Sequence, residues 1–331
     1  MSMDSPSRKS TSSYASSGVS RNSSPRKQLR NASLQSTGFR QASFPVDGAQ
    51  LPPSLRTLSQ DLKRIRRGVA ILPTRLRHEL AAFQFPIDAF SDNEETTRLR
   101  YPPIDFVGRI DRRAAECDMD CEGESSWNAD VHAPLLDWVL RRDPNGLLLD
   151  FRYCTNAALI PQYKPKEAPG KMVDFCLAIR PNKEEQRVID DLCRTRPDLS
   201  INHTEWGNLS KHPIAISIET KHQGGDSAVA LLRMATWHSA QWRSLRLGNS
   251  DEERARLALQ FLPGIIVQGH DWKFVATTLG EDFMATTFKS LSMGTTESIP
   301  DIYQLAVSLQ RLKVWAEEEY WPAFKATILG F

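Results

Sequence analysis

The chain has 331 residues, 40% of them apolar, 25% charged, with a formal net charge of +2. That length and composition suit one or two domains with cores of ordinary size. The near balance of charge excludes a polycationic or polyanionic chain, no apolar run reaches the length of a membrane span, and no membrane partner is expected.

The first fifty residues hold 14 serines and seven Arg or Lys against two acids, with almost no large aliphatic side chains. Such a segment buries too little apolar surface to offset its ordering entropy, so residues 1–54 are expected to be a disordered Ser/Arg-rich tail. No apolar stretch follows the first charges, and no signal peptide is expected. Ser5-Pro6 and Ser24-Pro25 fit phosphorylation sites or simply a solvated tail.

Residues 55–116 read as a helical, proline-interrupted extension. Leu55, Leu58, Leu62, Ile65 and Val69 recur at helical spacing over 54–82. Lys63, Arg64, Arg66 and Arg67 fit a nuclear localisation signal or phosphate-binding strip as well as the solvated face of an amphipathic helix. Pro73, Pro86, Pro102 and Pro103 then break the chain.

From residue 117 the texture changes, and 117–331 reads as one α/β domain. A helix is expected over 123–142, capped by Ser125 or Ser126, with Trp127, Val131, Leu135, Trp138 and Val139 as its apolar stripe. Pro144-Asn145-Gly146 is a turn signal, followed by a strand from Leu147 to Phe151. A Pro- and Lys-rich loop over 161–171 leads to a strand over Met172–Ile179. A charged helix over 183–196 precedes the strand Pro213–Lys221. Asp226 or Ser227 caps the next helix, expected to reach Leu247. Gly264–Gly269 and Trp272–Thr278 form a hairpin around His270-Asp271, and a last amphipathic helix covers 300–320. The order α, β, β, β, α, β, β, α is that of an α/β core, with one helix inserted between the second and third strands.

Two of these strands carry unusual acids. Strand side chains alternate between faces, which puts Ile214, Ile216 and Ile218 on one side and Ala215, Ser217, Glu219 and Lys221 on the other. Asp174 lies among Val173, Phe175 and Leu177, where a carboxylate is costly to bury unless it is paired or binds a metal. If the two strands are neighbours, Asp174 and Glu219 meet, and a cation relieves their repulsion. Hard oxygen ligands with open water positions suit Mg²⁺ or Mn²⁺. An ion held by Asp174 and Glu219 would neutralise a scissile phosphate and activate a water. Lys221 would orient or deprotonate that water, or stabilise the developing charge. Glu124 shares a helix face with Asn128 and can add a third acid.

The chain resembles the fungal PD-(D/E)XK nuclease-like domain family, whose fold is that of restriction endonucleases. The matching segments are Glu124-Ser-Ser-Trp127-Asn128-Ala-Asp-Val-His132-Ala-Pro134-Leu135-Leu136, Val173-Asp174-Phe175-Cys176-Leu177, Pro213-Ile-Ala-Ile-Ser-Ile-Glu219-Thr220-Lys221, Trp237-His-Ser-Ala-Gln241-Trp242 and Pro263-Gly-Ile-Ile-Val267-Gln268-Gly269-His270-Asp271-Trp272. They cover roughly residues 117–325 in the expected order. The resemblance implies a mixed central sheet flanked by helices (αβββαβ). It implies Asp174 and Glu219 as metal ligands, Lys221 as the catalytic lysine and Glu124 as an extra acid. It implies a Mg²⁺-dependent nuclease acting on nucleic acid, DNA in preference to RNA. Arg233 stands where many relatives carry glutamine. The alternative is a nuclease-like fold without catalysis, serving as a nucleic-acid or protein binding module.

The remaining candidates have ordinary readings. Gln241 and Trp237 fit a buried amide and core packing. His132 fits a satisfied core histidine, and Cys117-x₃-Cys121 with His132 lacks a fourth zinc ligand. The five cysteines show no paired spacing, which suits a reducing, intracellular compartment, and the basic segments suit the nucleus.

Overall fold

The structure, a computed structural model, describes residues 24–35, 38–143, 148–165, 173–247 and 258–331. Among these residues the strands are β1 (Phe39–Ser43), β2 (Leu149–Tyr153), β3 (Phe175–Ile179), β4 (Ile214–Lys221), β5 (Leu262–Gln268), β6 (Asp271–Leu279) and β7 (Ala285–Gly294). They form one mixed sheet in the order β1-β7-β6-β5-β4-β3-β2. β4 is central, antiparallel to β3 and parallel to β5. All of its residues are buried, as its β-branched, near-continuous apolar run requires of a strand covered on both faces.

The α-helices are α1 (Pro25–Ser33), α2 (Pro53–Arg66), α3 (Glu94–Arg98), α4 (Ile104–Met119), α5 (Glu124–Trp127), α6 (Ala133–Leu140), α7 (Lys183–Cys193), α8 (Ser227–Leu245), α9 (Ile299–Trp315) and α10 (Trp321–Phe324). α2, α4 and α6 pack around α9, and Leu58, Leu62, Val107, Leu135 and Ile302 join Ile216 and Ile218 in one apolar core. α8 lies over the opposite face of β4, where Trp237 Nε1 donates to Ser217 Oγ (2.9 Å) and Gln241 Nε2 to the Ile214 carbonyl (2.7 Å). Those two side chains are structural, satisfied core groups. At Gly264 of β5 an added Cβ would fall 2.7 Å from Met234 Sδ, so glycine there lets α8 lie close on the sheet. The α/β architecture with helices on both faces of a mixed sheet is thus as expected.

Several expectations need correction. The tail expected to be disordered through residue 54 is structured over its second half, whereas residues 1–23, 36 and 37 lie outside the described residues. Ser24 caps α1, and β1 adds to the sheet edge in parallel with β7, anchored by buried Phe39 and by Arg40 Nε donating to Thr286 Oγ1 at 2.9 Å. An edge strand draws most of its support from main-chain pairing with a neighbour distant in sequence, which local composition does not report.

The helix expected over 123–142 runs without a break from Glu124 to Leu140, with a change of hydrogen-bond pattern in its middle. Glu124 opens α5 after Gly123, so neither Ser125 nor Ser126 is its cap. A π turn, Asn128–His132, then leads into α6. Pro134 has no N–H to continue an α pattern, and the Ala133 N–H reaches back to the Asn128 carbonyl.

β3 starts at Phe175, and Asp174 sits at its mouth rather than within it. Met172 and the turn Pro144-Asn145-Gly146 lie outside the described residues. The isoleucine face also differs. Leu177 pairs with Ile216 and Ala178 with Ile214, so Ala215 is the extra residue of a bulge. Ile216 and Ile218 face one core, while Ile214 joins Ala178 and Trp237 in the other.

Residue 117, where the sequence texture changes, falls inside α4. The basic strip on α2 is partly committed to the fold. Arg64 Nη2 forms an ion pair with Glu95, and Arg66 Nη1 contacts Asp301 Oδ1 (3.0 Å) and Gln304 Oε1 (2.9 Å).

Asp150 on β2 is a second acid in an apolar strand. It is buried, and its carboxylate meets Arg141 (2.8 Å), Arg180 (2.8 Å) and Arg152. Burial pushes its pKa up, but the Arg141 hydrogen bond and the charges of Arg141, Arg152 and Arg180 outweigh that and hold it below the ordinary value. Its stabilising contribution is therefore present above the ordinary carboxylate pKa and is lost as pH falls through the depressed one. Asp150→Ala removes the shared partner of three partly exposed guanidinium groups and is expected to cost about 2 kcal/mol, read as a lower denaturant midpoint at neutral pH. An unchanged midpoint would show the cluster to be inconsequential.

Candidate active site

The C-terminal end of β4 and the N-terminal mouth of β3 lie side by side because the strands are antiparallel. The Asp174 N–H donates to the Ile218 carbonyl (2.9 Å), extending the β3–β4 pairing by one residue. Asp174 and Glu219 then line a single cavity of about 290 Å³ with Glu124, Ser125, Asn128, Thr155, Val173 and Arg233. The site residues expected from the sequence, Asp174, Glu219, Lys221 and Glu124, are therefore brought together.

Glu219 is 1% exposed. Its Oε1 meets both Lys221 Nζ (2.7 Å) and Arg233 Nη1 (2.7 Å), while Oε2 is buried with no hydrogen-bond partner. Burial raises its pKa from the ordinary 4.5 to about 7, with nearby Asp174 adding to the rise and Lys221 and Arg233 opposing it. Lys221 is itself buried. Its ammonium also lies 3.2 Å from Glu124 Oε1 and donates to the Thr220 carbonyl. The three contacts hold a compact cation against Glu219 and Glu124, two of the carboxylates that line the cavity.

Asp174 Oδ2 accepts two hydrogen bonds from Thr220, one from the main-chain N–H (2.8 Å) and one from the hydroxyl (2.9 Å). Strand alternation turns Thr220 away from Glu219 and Lys221, towards Asn128, whose Nδ2 donates to the Thr220 hydroxyl at 3.0 Å. Glu124, at the first position of α5, is placed by the helix start, with Asn128 one turn later on the same wall.

The donor set suits a hard divalent cation. An orphaned, buried carboxylate oxygen on Glu219 and a second carboxylate on the same cavity wall are what such a cation would satisfy. Among the described residues no group of three or more His, Cys, Asp or Glu stands in metal-holding geometry. A cation here would take its protein ligands from the carboxylate pair and fill its remaining positions with water, as Mg²⁺ commonly does.

Arg233 is the site residue the sequence reading did not assign a role. It projects from the second turn of α8 onto Glu219, and the signal lay in the departure from glutamine at that position. The other candidates stay outside the site. His132 is buried behind it, His270 Nδ1 pairs with Thr296 Oγ1 (2.9 Å) and Asp271 pairs with Lys273. Cys117 is buried and Cys121 exposed, both as free thiols. No helix among the described residues is long and apolar enough to cross a membrane.

A family model described as the PD-(D/E)XK nuclease superfamily matches residues 75–321 of the chain. No match was found among curated proteins.

Proposed function

We propose, from the premise that this chain belongs to the PD-(D/E)XK nuclease superfamily, that it is a divalent-metal-dependent nuclease hydrolysing phosphodiester bonds, of DNA in preference to RNA. The observation that carries this reading is the buried Glu219 carboxylate, whose Oε2 has no partner and whose Oε1 is held by Lys221 beside Asp174. A site with only a structural role would satisfy that oxygen or replace it with an apolar group.

In this reading Asp174 and Glu219 hold Mg²⁺ or Mn²⁺, and Glu124 adds a negative charge at the cavity mouth. The bound cation supplies neutralisation of a scissile phosphate and activation of water. Lys221 Nζ would exchange its longer contact to Glu124 for the attacking water and so orient it, while its positive charge offsets the charge that develops on the phosphate. Glu124 Oε1 and Glu219 Oε1 fix the direction of the ammonium. Arg233 offsets the negative charge of Glu219 and lies where a phosphate entering the cavity would meet a guanidinium. The basic residues of the first fifty positions and of α2 suit a polyanionic partner and a nuclear location.

Purified full-length protein is expected to cleave plasmid or oligonucleotide DNA with Mg²⁺ or Mn²⁺, and EDTA is expected to stop it. Mn²⁺ titration by calorimetry separates this from a binding-only module. Binding of DNA with neither cleavage nor a Mn²⁺ heat would favour the module and overturn the nuclease reading.

A further inference from the structure

The x position of the Glu219-x-Lys221 triplet is Thr220, and it is the hub of a buried chain of hydrogen bonds. Thr220 and His132 are fully buried, and Asn128 is buried with an edge on the cavity. Its hydroxyl lies 2.9 Å from Asp174 Oδ2 and 3.0 Å from Asn128 Nδ2. Asn128 Oδ1 lies 2.9 Å from His132 Nδ1. The His132 ring is held between Trp127, stacked at 5.8 Å, and Trp272, edge-on at 5.4 Å.

Proton counting gives this chain a direction. Asp174 Oδ2 accepts from both the N–H and the hydroxyl of Thr220, so the single hydroxyl proton goes to Asp174. The hydroxyl oxygen must then accept, which requires the amide NH₂ of Asn128 on that side. Asn128 Oδ1 therefore faces His132, and Nδ1 must carry the ring proton. Burial lowers the His132 pKa to about 4, so the ring is neutral and has one proton only. The Gly269 carbonyl, 3.3 Å from Nε2, competes for that single proton, and the shorter 2.9 Å contact to Asn128 places it on Nδ1. The contacts from His132 Nδ1 to Asp174 Oδ2 are all assigned by one choice of tautomer.

The consequence falls on Asp174. Two donors from Thr220 occupy Oδ2, and Oδ1 has no hydrogen-bond partner among the described residues, while the side chain lines the cavity. We infer that His132 and Asn128 are positioning residues which, through the Thr220 hydroxyl, fix the Asp174 carboxylate with one oxygen committed to the protein and the other presented to the cavity. The inference rests on the proposed cation site. It assigns a role to a histidine that by its burial and spacing reads as packing. It also explains the π turn, which sets Asn128 and His132 on the side of α5–α6 that meets Thr220.

The test compares Mn²⁺ binding to the full chain by calorimetry across four proteins. Thr220→Val keeps shape and burial but removes the hydroxyl, and His132→Phe keeps the ring between the two tryptophans but removes the donor. Each is expected to weaken Mn²⁺ binding about tenfold to a hundredfold, the usual effect of losing a ligand's supporting hydrogen bond. Thr220→Ser keeps the hydroxyl and is expected to bind like wild type. Normal binding by both Thr220→Val and His132→Phe would overturn the positioning role and leave the cation site standing. No binding by wild type would overturn the site itself, and the inference with it. The ¹⁵N spectrum of the wild-type His132 ring, assigned with His132→Phe, needs no folded variant of Thr220. Protonated Nδ1 with bare Nε2 is expected, and the opposite tautomer would sink the inference.

Discussion

Lys221→Ala is expected to lower the rate of phosphodiester cleavage on the order of a thousandfold while leaving Mn²⁺ binding within a few-fold of wild type. The asymmetry follows from where the ammonium sits. Its nitrogen is 2.7 Å from Glu219 Oε1 and 3.2 Å from Glu124 Oε1, so it is aimed by two carboxylates without occupying Glu219 Oε2. Removing it takes away a positioned ammonium charge and leaves the proposed cation ligands in place. Arg233 remains on Glu219, which limits the structural effect of losing a buried positive charge. Lys221→Arg is not expected to restore the rate, because a planar fork does not fit the space of a compact ammonium held by three oxygen contacts. Kinetics under saturating Mn²⁺ with a parallel calorimetric titration make the measurement. Wild-type turnover by Lys221→Ala would remove Lys221 from the mechanism.

Glu219→Gln is expected to abolish detectable Mn²⁺ binding, lower cleavage by a comparable on-the-order-of-thousandfold factor, and flatten an unusual pH dependence of stability. The Glu219 pKa is raised from 4.5 to about 7, chiefly by burial. The folded state therefore binds a proton that the unfolded state has released between those two values. Stability of the cation-free protein is highest with Glu219 protonated and declines as pH rises from about 4.5 to about 7. A shift of that size corresponds to about 3 kcal/mol of lost stability, opposite in sign to the Asp150 contribution. A divalent cation replaces the proton, so added Mn²⁺ should raise the melting temperature more at pH 8 than at pH 6. Glutamine at 219 cannot titrate and removes this slope. A Glu219→Gln protein with the wild-type pH profile, or with an undiminished Mn²⁺ effect, would show that Glu219 is not the group responsible.

Legibility varied with how local the determining interactions were. β4 could be read because its isoleucines report a central strand wherever it pairs. Asp226 capping α8, the hairpin of β5 and β6, and the capping box of α7 on Asn182 are settled within a few residues. The bulge at Ala215 was not readable, because an extra residue in one strand is defined only against its partner, here Leu177 and Ala178. β7 and β1 escaped for a related reason. Ala285–Gly294 carries Thr, Ser and Lys at sheet positions, and Phe39–Ser43 has a single large apolar anchor, so neither alternates cleanly.

The two strand acids make the sharpest comparison. Asp150 and Asp174 have the same local signature, a carboxylate among Leu, Val and Phe. The sequence by itself determined that each must be compensated, because burying a bare carboxylate is prohibitive. It also determined that Glu219 and Lys221 share one face of one strand, since alternation places residues two apart side by side. Only the tertiary structure decided which compensation each acid receives. Three arginines converge on Asp150 from α6, from β2 and from the residue after β3, and they make it a structural hub. Asp174 meets a hydroxyl and an amide N–H instead, beside Glu219 with its unpartnered oxygen. Arg233 and Thr220 likewise acquire their roles from α8 lying over β4 and from α5 reaching the strand end. The physical reason is the same throughout. A strand sets the direction of its own side chains, but the charge and hydrogen bonds they meet come from segments tens to hundreds of residues away.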